Sequence, residues 1–199
     1  MPTMLAPTQH DWAEGVWRVS VERYHALIEA GAFDDNERVE LLEGVLVEKM
    51  SKNPRHCDAA RRTNRALRDV IPNGWFVDDQ STPLTTSDSE PEPDVVVLMG
   101  QFEDYATRHP GAQDAALVVE VSDTSLARDR GVKLRIYARA GIATYWILNL
   151  HTRALEIYTS PQGDEYATRV TLREAETAPL QLGDTTIHVP VAQLLPPAR

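Results

Sequence analysis

The sequence has little cysteine, no long apolar run and no excess of basic residues. A single cysteine, Cys57, excludes a disulfide framework and a cysteine-rich zinc site. Apolar runs such as 95–99 and 115–119 are too short to cross a bilayer, and the first residues lack the basic and apolar stretches of a signal peptide. We therefore expect a cytoplasmic protein that does not span a membrane.

The charge is acidic overall but unevenly distributed. The 199 residues contain 20 Lys and Arg and 30 Asp and Glu, a net charge of −10 that repels nucleic acid as a whole. Seven of the basic residues nevertheless fall within residues 49–68, which contain one acid. Such a patch can attract a phosphate backbone, although a solvated helix face is the simpler interpretation. The candidate nucleic-acid-binding residues in it are Lys52, Arg55, Arg61, Arg62 and Arg65.

Turn signals and apolar periodicity predict one α/β domain over residues 1–199, with residues 1–16 as a loose leader. A hairpin at 38–50 turns on Glu43-Gly44. The predicted core is a mixed sheet built from a helix, three strands, a helix and a strand, and its last helix is a right-handed crossover between parallel strands. The core elements are expected at 55–70, 75–79, 95–99, 115–121, 129–140 and 143–149. A helix at 21–30 precedes them, and strands at 155–158, 166–172 and 185–189 form a β-rich C-terminal flank.

Two carboxylates stand where apolar strands would bury them. Glu120 interrupts one such strand, and Asp94 precedes another. Because an unpaired buried carboxylate costs several kcal/mol, each needs a partner or a metal. If Met99 lies opposite Ala115 in an antiparallel pair, Asp94 lies opposite Glu120, with Cβ atoms roughly 4.5–5.5 Å apart. A cation between them would relieve their repulsion, and oxygen-only ligands favour Mg²⁺ or Mn²⁺.

Lys133 is the candidate cationic partner of this pair. A helix that begins at Asp129, which we interpret as its cap, returns over the strand end that carries Glu120. An ammonium there can orient a water beside a metal or stabilise charge on a phosphate oxygen. The alternatives are an ion pair of Glu120 with Arg135 or Arg139, and an ordinary exposed lysine.

These residues resemble the signature of the PD-(D/E)XK nucleases, and the order of the core elements matches theirs. Pro93-Asp94 and Glu120-Val121-Ser122 carry the resemblance. Ser122 stands where the usual lysine would be, and Lys133 suits the families that carry it on the following helix. Over residues 19–195 the chain resembles more specifically the Uma-type family of putative restriction endonucleases. The matching segments are 38–44, 54–56, 90–94, 120–126, 129–133, 137–142 and 145–146.

The resemblance implies a metal-dependent DNA endonuclease, with Asp94 and Glu120 as ligands of Mg²⁺ or Mn²⁺ and Lys133 as the catalytic lysine. It also implies site roles for Glu40 and His56. Their alternatives are an outward strand residue and a local hydrogen-bonding residue. A homodimer that cuts both strands is expected from the superfamily. Two other functions stay open: a non-catalytic module that binds nucleic acid or another partner, and a hydrolase acting on RNA or a small phosphodiester.

Overall fold

The structure is a computed structural model that describes residues 16–34, 37–79 and 82–198. The predicted leader lies outside these ranges except for Val16. The first elements are a helix, α1 (Val21–Glu29), and the predicted hairpin of β1 (Val39–Leu42) and β2 (Val45–Glu48). No helix within the three described ranges is long and apolar enough to cross a membrane.

A six-stranded mixed sheet forms the centre of the molecule. Its strands in spatial order are β3 (Trp75–Asp79), β4 (Val95–Met99), β5 (Ala115–Ser122), β6 (Thr144–Asn149), β7 (Ala154–Gln162) and β8 (Glu165–Arg173). β5 and β6 are parallel, and the other neighbours are antiparallel. This confirms the predicted mixed α/β fold. Part of the predicted C-terminal flank is the far edge of the same sheet, while β9 (Thr177–Leu182) and β10 (Thr185–Pro190) form a separate hairpin.

The helices cover both faces of the sheet, so β4 and β5 are buried on both sides. On one face α2 (Pro54–Arg68) packs against the sheet and against α5 (Val191–Leu194). The other face packs against the helical connection between β5 and β6. That connection consists of α3 (Leu126–Arg128), a π-helical segment (Asp129–Lys133) and α4 (Leu134–Arg139).

The predicted pairing of Met99 with Ala115 is wrong. Ala115 pairs with Leu98, because a β-bulge between Val97 and Leu98 shifts the register by one residue. Beyond the bulge Val95 pairs with Val119, which is the predicted register. The bulge thus changes the pairing register only at the end of the strand pair that contains Leu98. At the end near Asp94 the register is the predicted one.

The connecting helix begins before Asp129, so the predicted cap is wrong as well. Helical structure starts at Leu126, and Asp129 lies inside the π-helical segment with 1% of its surface exposed. Its carboxylate accepts hydrogen bonds from the hydroxyl groups of Ser122 and Ser125. These bonds satisfy the buried acid, which therefore does not need a position at the solvent-exposed start of a helix.

Candidate active site

Asp94 and Glu120 lie at the same edge of the sheet. Asp94 immediately precedes β4, Glu120 lies near the end of β5, and the antiparallel pairing brings these two ends together. The backbone N–H of Val121 donates a 2.9 Å hydrogen bond to Asp94 Oδ2. Each acid has 4% of its surface exposed, so the site contains two buried carboxylates on neighbouring strands.

Glu120 is held by two residues of the connecting helix. Lys133 Nζ lies 2.8 Å from Glu120 Oε1, and the hydroxyl of Tyr137 donates to the same oxygen at 2.7 Å. Lys133 and Tyr137 are four residues apart, so both reach the carboxylate from successive turns of the helix. Arg135 and Arg139 bind other acids, including Glu43. The alternative that either arginine pairs with Glu120 is therefore wrong.

Asp94 is held from the start of α2. Lys52 Nζ lies 2.8 Å from Asp94 Oδ1, and His56 Nε2 lies 3.0 Å from Asp94 Oδ2. Asn53 caps the helix by accepting a hydrogen bond from the backbone N–H of His56, and Pro54 is compatible with the first helical turn. The cap thus places both basic side chains on the same acid.

Glu40 enters the same cluster from β1. It has 3% of its surface exposed, so the alternative of an outward strand residue is wrong. Glu40 Oε2 lies 3.4 Å from Lys133 Nζ and accepts a 3.3 Å hydrogen bond from the backbone N–H of Glu92. Arg128 lies 3.6 Å from Glu40 Oε1. The ammonium of Lys133 is therefore shared between two buried carboxylates.

The surroundings separate the pKa values of the two strand acids. Burial raises the pKa of Glu120 to about 8, although Lys133 acts in the opposite direction. Burial also acts to raise the pKa of Asp94, but the hydrogen bond from His56 and the charge of Lys52 outweigh it and hold that pKa at about 2. Burial would lower the pKa of Lys133, yet Glu120 and Glu40 raise it, so this ammonium stays charged. Buried groups with such shifts, lining a cavity, are typical of functional sites.

A cavity of about 60 Å³ adjoins these residues. We call it the cleft. Five acidic and five basic side chains line it together with His56, so its charges nearly balance within an acidic molecule. The acids are Glu40, Glu92, Asp94, Glu120 and Asp129, and the bases are Arg38, Lys49, Lys52, Arg128 and Lys133.

The structure divides the predicted basic patch. Lys52 lines the cleft, whereas Arg55 donates to the carbonyl oxygen of Leu150 and is not among the lining residues. Farther along α2, Arg61, Arg62 and Arg65 line a separate surface pocket, where Arg62 pairs with Asp58 at 2.8 Å. The patch is therefore not one continuous surface at the cleft.

Sequence reasoning missed several residues of the cleft. The sequence favours a core position for Tyr137, and this residue is fully buried, but its hydroxyl also binds Glu120. Its position four residues after Lys133 is the signal that could have found it. Arg128 and Arg38 give no such signal, because an arginine near a turn is normally a surface residue. Asp129, which the sequence suggests as a cap, is buried and lines the cleft.

Comparisons with known proteins agree with this fold. The crystal structure of a protein from Anabaena variabilis ATCC 29413, described as a putative nuclease belonging to DUF820, superposes with a TM-score of 0.67 at 12% identity, covering 88% of this chain and 97% of that one. At this identity the likeness shows the fold. A search of curated proteins found no match. The model of the Uma2 family, described as "Putative restriction endonuclease", matches residues 21–191, and the chain therefore belongs to the Uma2 family.

Proposed function

We propose that the chain is a metal-dependent phosphodiesterase of the PD-(D/E)XK type that cleaves DNA. Asp94 and Glu120 would hold the metal, and Lys133 would be the catalytic lysine. The observation that supports this most is the 2.8 Å contact of buried Lys133 with Glu120, beside a second buried carboxylate. Membership of a family described as restriction endonucleases supports the same chemistry.

The residues present fit Mg²⁺ or Mn²⁺. Carboxylate oxygens are the hard ligands that these ions prefer. The hydrogen bonds of the Glu120 side chain to the described residues fall on Oε1, which leaves Oε2 for a metal. Asp94 Oδ1 is held by Lys52, whose side chain is 21% exposed and can turn toward solvent when a metal takes its place. The donor set thus suits a divalent cation once Lys52 has moved.

The protein residues would prepare the site for hydrolysis. When bound, the metal would polarise the scissile phosphate and lower the pKa of a water. Lys133, fixed between Glu120 and Glu40, would orient the attacking water and stabilise the charge that develops on a phosphate oxygen. Tyr137 keeps the Glu120 carboxylate in place through Oε1. His56 would act through Asp94, which it contacts at 3.0 Å.

DNA is the substrate that we propose. Arg38, Lys49, Lys52 and Arg128 line the cleft and offer cations to backbone phosphates despite the net charge of −10. RNA or a smaller phosphodiester would meet the same cations, so both belong in the assay. Cleavage of both strands would need two such sites, and the homodimer stays a prediction from the resemblance.

One observation favours a second candidate function, a non-catalytic module that keeps the fold. Each strand acid already has an ammonium partner: Lys52 for Asp94 and Lys133 for Glu120. A closed set of buried ion pairs can serve structure alone. The two candidates differ in one property, since only the enzyme needs a divalent cation in the cleft.

Cleavage of supercoiled plasmid, single-stranded DNA and RNA in Mg²⁺, Mn²⁺ or EDTA tests the proposal. We expect DNA cleavage with either metal and none in EDTA. Asp94→Asn and Glu120→Gln should abolish it, whereas Glu156→Gln should not. Glu156 is a matched control, because it is a buried strand glutamate that pairs with Arg130 and Arg169 and does not line the cleft. Wild-type rates in Asp94→Asn would refute the assigned site, and binding without cleavage would favour the second candidate.

A further inference from the structure

A second group of potential ligands lies outside the cleft. It consists of His25 on α1, Glu90 in the segment before β4, and His109 in the connection between β4 and β5. One donor atom from each residue lies within 4.8 Å of the others. His25 Nε2 lies 2.9 and 2.8 Å from the two oxygens of Glu90, and the two imidazole centroids are 5.9 Å apart. Three separate parts of the chain thus bring two imidazoles and one carboxylate together.

The carboxylate of this group is fixed before any ligand arrives. Glu90 has 3% of its surface exposed, and its backbone N–H donates a 2.7 Å hydrogen bond to the carbonyl oxygen of Leu41. The hydroxyl of Thr85 donates to Glu90 Oε2 at 2.8 Å. Hydrogen bonds of this kind orient a metal-ligating carboxylate and hold its rotamer. The group therefore has the supporting contacts of a built site.

We propose that His25, Glu90 and His109 bind a divalent transition metal, with zinc as the occupant. Two neutral imidazoles and one carboxylate are a ligand set of zinc sites that keep a fourth position open. Imidazole suits zinc better than magnesium, which prefers oxygen ligands. The chemistry of this set thus differs from that of the all-carboxylate pair Asp94 and Glu120.

A simple ion pair between His25 and Glu90 explains less of the arrangement. It would need one imidazole, whereas His109 also places a ring nitrogen within reach of the same carboxylate. His25 and His109 line both a cavity of about 970 Å³ and one of about 250 Å³, and Glu90 lines the smaller. A metal here would have a route from solvent and room for a water or another ligand at its open position.

The two sites are neighbours with different residues. None of the three zinc ligands lines the cleft, although Glu92 lines both the cleft and the smaller cavity. Zinc would tie α1 and the connection that carries His109 to the segment before β4. Its binding should therefore stabilise the folded chain, because the three ligands are together only in that state.

Titration of ZnCl₂, with CoCl₂ as a spectroscopic probe, into untagged full-length protein in excess Mg²⁺ tests this site. We expect about one equivalent of tightly bound zinc, a cobalt spectrum of four-coordinate type and a rise in Tm. Failure of the wild-type protein to bind zinc at neutral pH would overturn the proposal.

Variants separate this site from the cleft. His109→Ala, at an exposed position that should not affect folding, should weaken zinc binding by at least about tenfold and leave metal-dependent DNA cleavage unchanged. His188→Ala, at another exposed histidine, is the matched control and should bind as wild type. Asp94→Asn should keep the zinc and lose cleavage. Loss of zinc in Asp94→Asn with retention in His109→Ala would assign the metal to the cleft and overturn the proposal.

Discussion

At the scale of single residues, Lys133 has the most consequential environment. Lysines are seldom buried, yet its side chain is 7% exposed and contacts both Glu120 and Glu40. When both acids are ionised, the ammonium of Lys133 and the guanidinium of Arg128, which lies 3.6 Å from Glu40, balance their charge. If Lys52 leaves Asp94, a divalent cation would offset the negative charge that remains there, which is one reason to expect metal binding here.

Replacing Lys133 should reveal this balance. We expect Lys133→Ala to lower the free energy of unfolding by about 3–5 kcal/mol in EDTA, because two buried carboxylates lose their ammonium. Mn²⁺ should raise the free energy of unfolding of the variant and of the wild type by similar amounts, because we expect both to bind the cation with nearly the same affinity. Urea unfolding with and without Mn²⁺ measures both effects. In Mn²⁺, cleavage by Lys133→Ala should fall, while its affinity for Mn²⁺ stays near that of the wild type.

Lys49→Ala is the control for that experiment, because Lys49 lines the cleft but pairs with the partly exposed Glu92. It should change stability by less than about 1 kcal/mol. A Lys133→Ala protein as stable as the wild type in EDTA would contradict the charge argument. A loss of Mn²⁺ affinity as large as that of Asp94→Asn would make Lys133 a determinant of metal binding instead of a catalytic group.

Tyr137 should act as a positioning residue. We expect Tyr137→Phe to lower the free energy of unfolding by about 0.5–1.5 kcal/mol, the usual worth of one hydrogen bond. It should also reduce kcat by a larger factor than it changes KM, because Glu120 then lacks a hydrogen bond that fixes its carboxylate. Tyr166→Phe is the matched control, since its hydroxyl donates to the carbonyl oxygen of Ile142 at 2.9 Å, outside the cleft. Equal effects of both variants on kcat would show that Tyr137 has only a structural role.

At the scale of elements, two glycines have opposite requirements. Gly44 turns the β1–β2 hairpin with φ of 76°, and a Cβ there would lie 2.7 Å from the Cβ of Arg18. Gly131 lies in the π-helical segment, where an added Cβ would meet no heavy atom of the described residues within 4 Å apart from the neighbouring backbone of its own helix. The first position needs glycine for its backbone conformation and for space, and the second needs it for neither.

Alanine at each glycine tests this difference. Gly44→Ala should lower the free energy of unfolding by at least about 1–2 kcal/mol through backbone strain, and it should reduce cleavage because β1 carries Glu40. Gly131→Ala should raise the free energy of unfolding by about 0.4–1 kcal/mol, because alanine restricts the conformations of the unfolded chain. Thermal or urea unfolding of the two variants measures both changes. A destabilised Gly131→Ala would indicate that the π-helical segment requires the flexibility of glycine.

At the scale of the whole molecule, the protein carries a net negative charge, whereas acidic and basic side chains are equal in number in the cleft. The basic residues that line the cleft come from the segments before β1 and α2, from α3 and from the π-helical segment. Arg61 and Arg65 lie farther along α2 at another pocket. This division separates two possible DNA-binding surfaces. Salt dependence distinguishes them, because each phosphate that the protein neutralises adds to the slope of affinity against salt.

DNA binding should depend on the cleft. We expect Arg38→Ala with Lys49→Ala to weaken binding and to reduce the salt slope by about one for each phosphate that the variant no longer neutralises. Arg61→Ala with Arg65→Ala should leave both nearly unchanged. Fluorescence anisotropy across a range of salt concentrations, with EDTA present to prevent cleavage, measures the slopes. A larger effect of the second pair would place the DNA on the outer face of α2.

Stability should fall in acid, partly through Glu156. Burial acts to raise the pKa of this carboxyl, but hydrogen bonds from Arg130 and Tyr158 outweigh it and lower the folded-state value. A lowered pKa adds stability above the unfolded-state value of about 4.3, and this contribution is lost as the pH falls through the folded-state pKa. We expect Glu156→Gln to cost about 1–3 kcal/mol at pH 7 and progressively less as the pH falls below the unfolded-state pKa. Urea unfolding at several pH values measures the difference, and a constant difference would contradict the charge argument.

The amino-acid sequence by itself determined the elements of the core and their order, whereas β9 and α5 were not predicted. Strands β3 and β4 have the predicted bounds, and the parallel pairing of β5 with β6 is predicted from the helix between them and the length of that connection. These features follow from local signals: apolar periodicity, Gly and Pro at turns, and the reach of a connection. The mixed α/β fold is confirmed because it follows from the same local signals. The positions of Asp94, Glu120 and Lys133 relative to the predicted strands and helix mark them as candidate site residues.

Tertiary structure decided which side chains meet. The bulge after Val97, the burial of Glu40 and the hydrogen bond of Tyr137 to Glu120 depend on how the elements pack together. His25 and Glu90 are 65 residues apart in sequence, and their contact required α1 to fold back toward the segment before β4. Local periodicity specifies which face of an element is apolar, but contacts between polar groups need distances of about 3 Å. Such distances are set only when the elements are packed against one another.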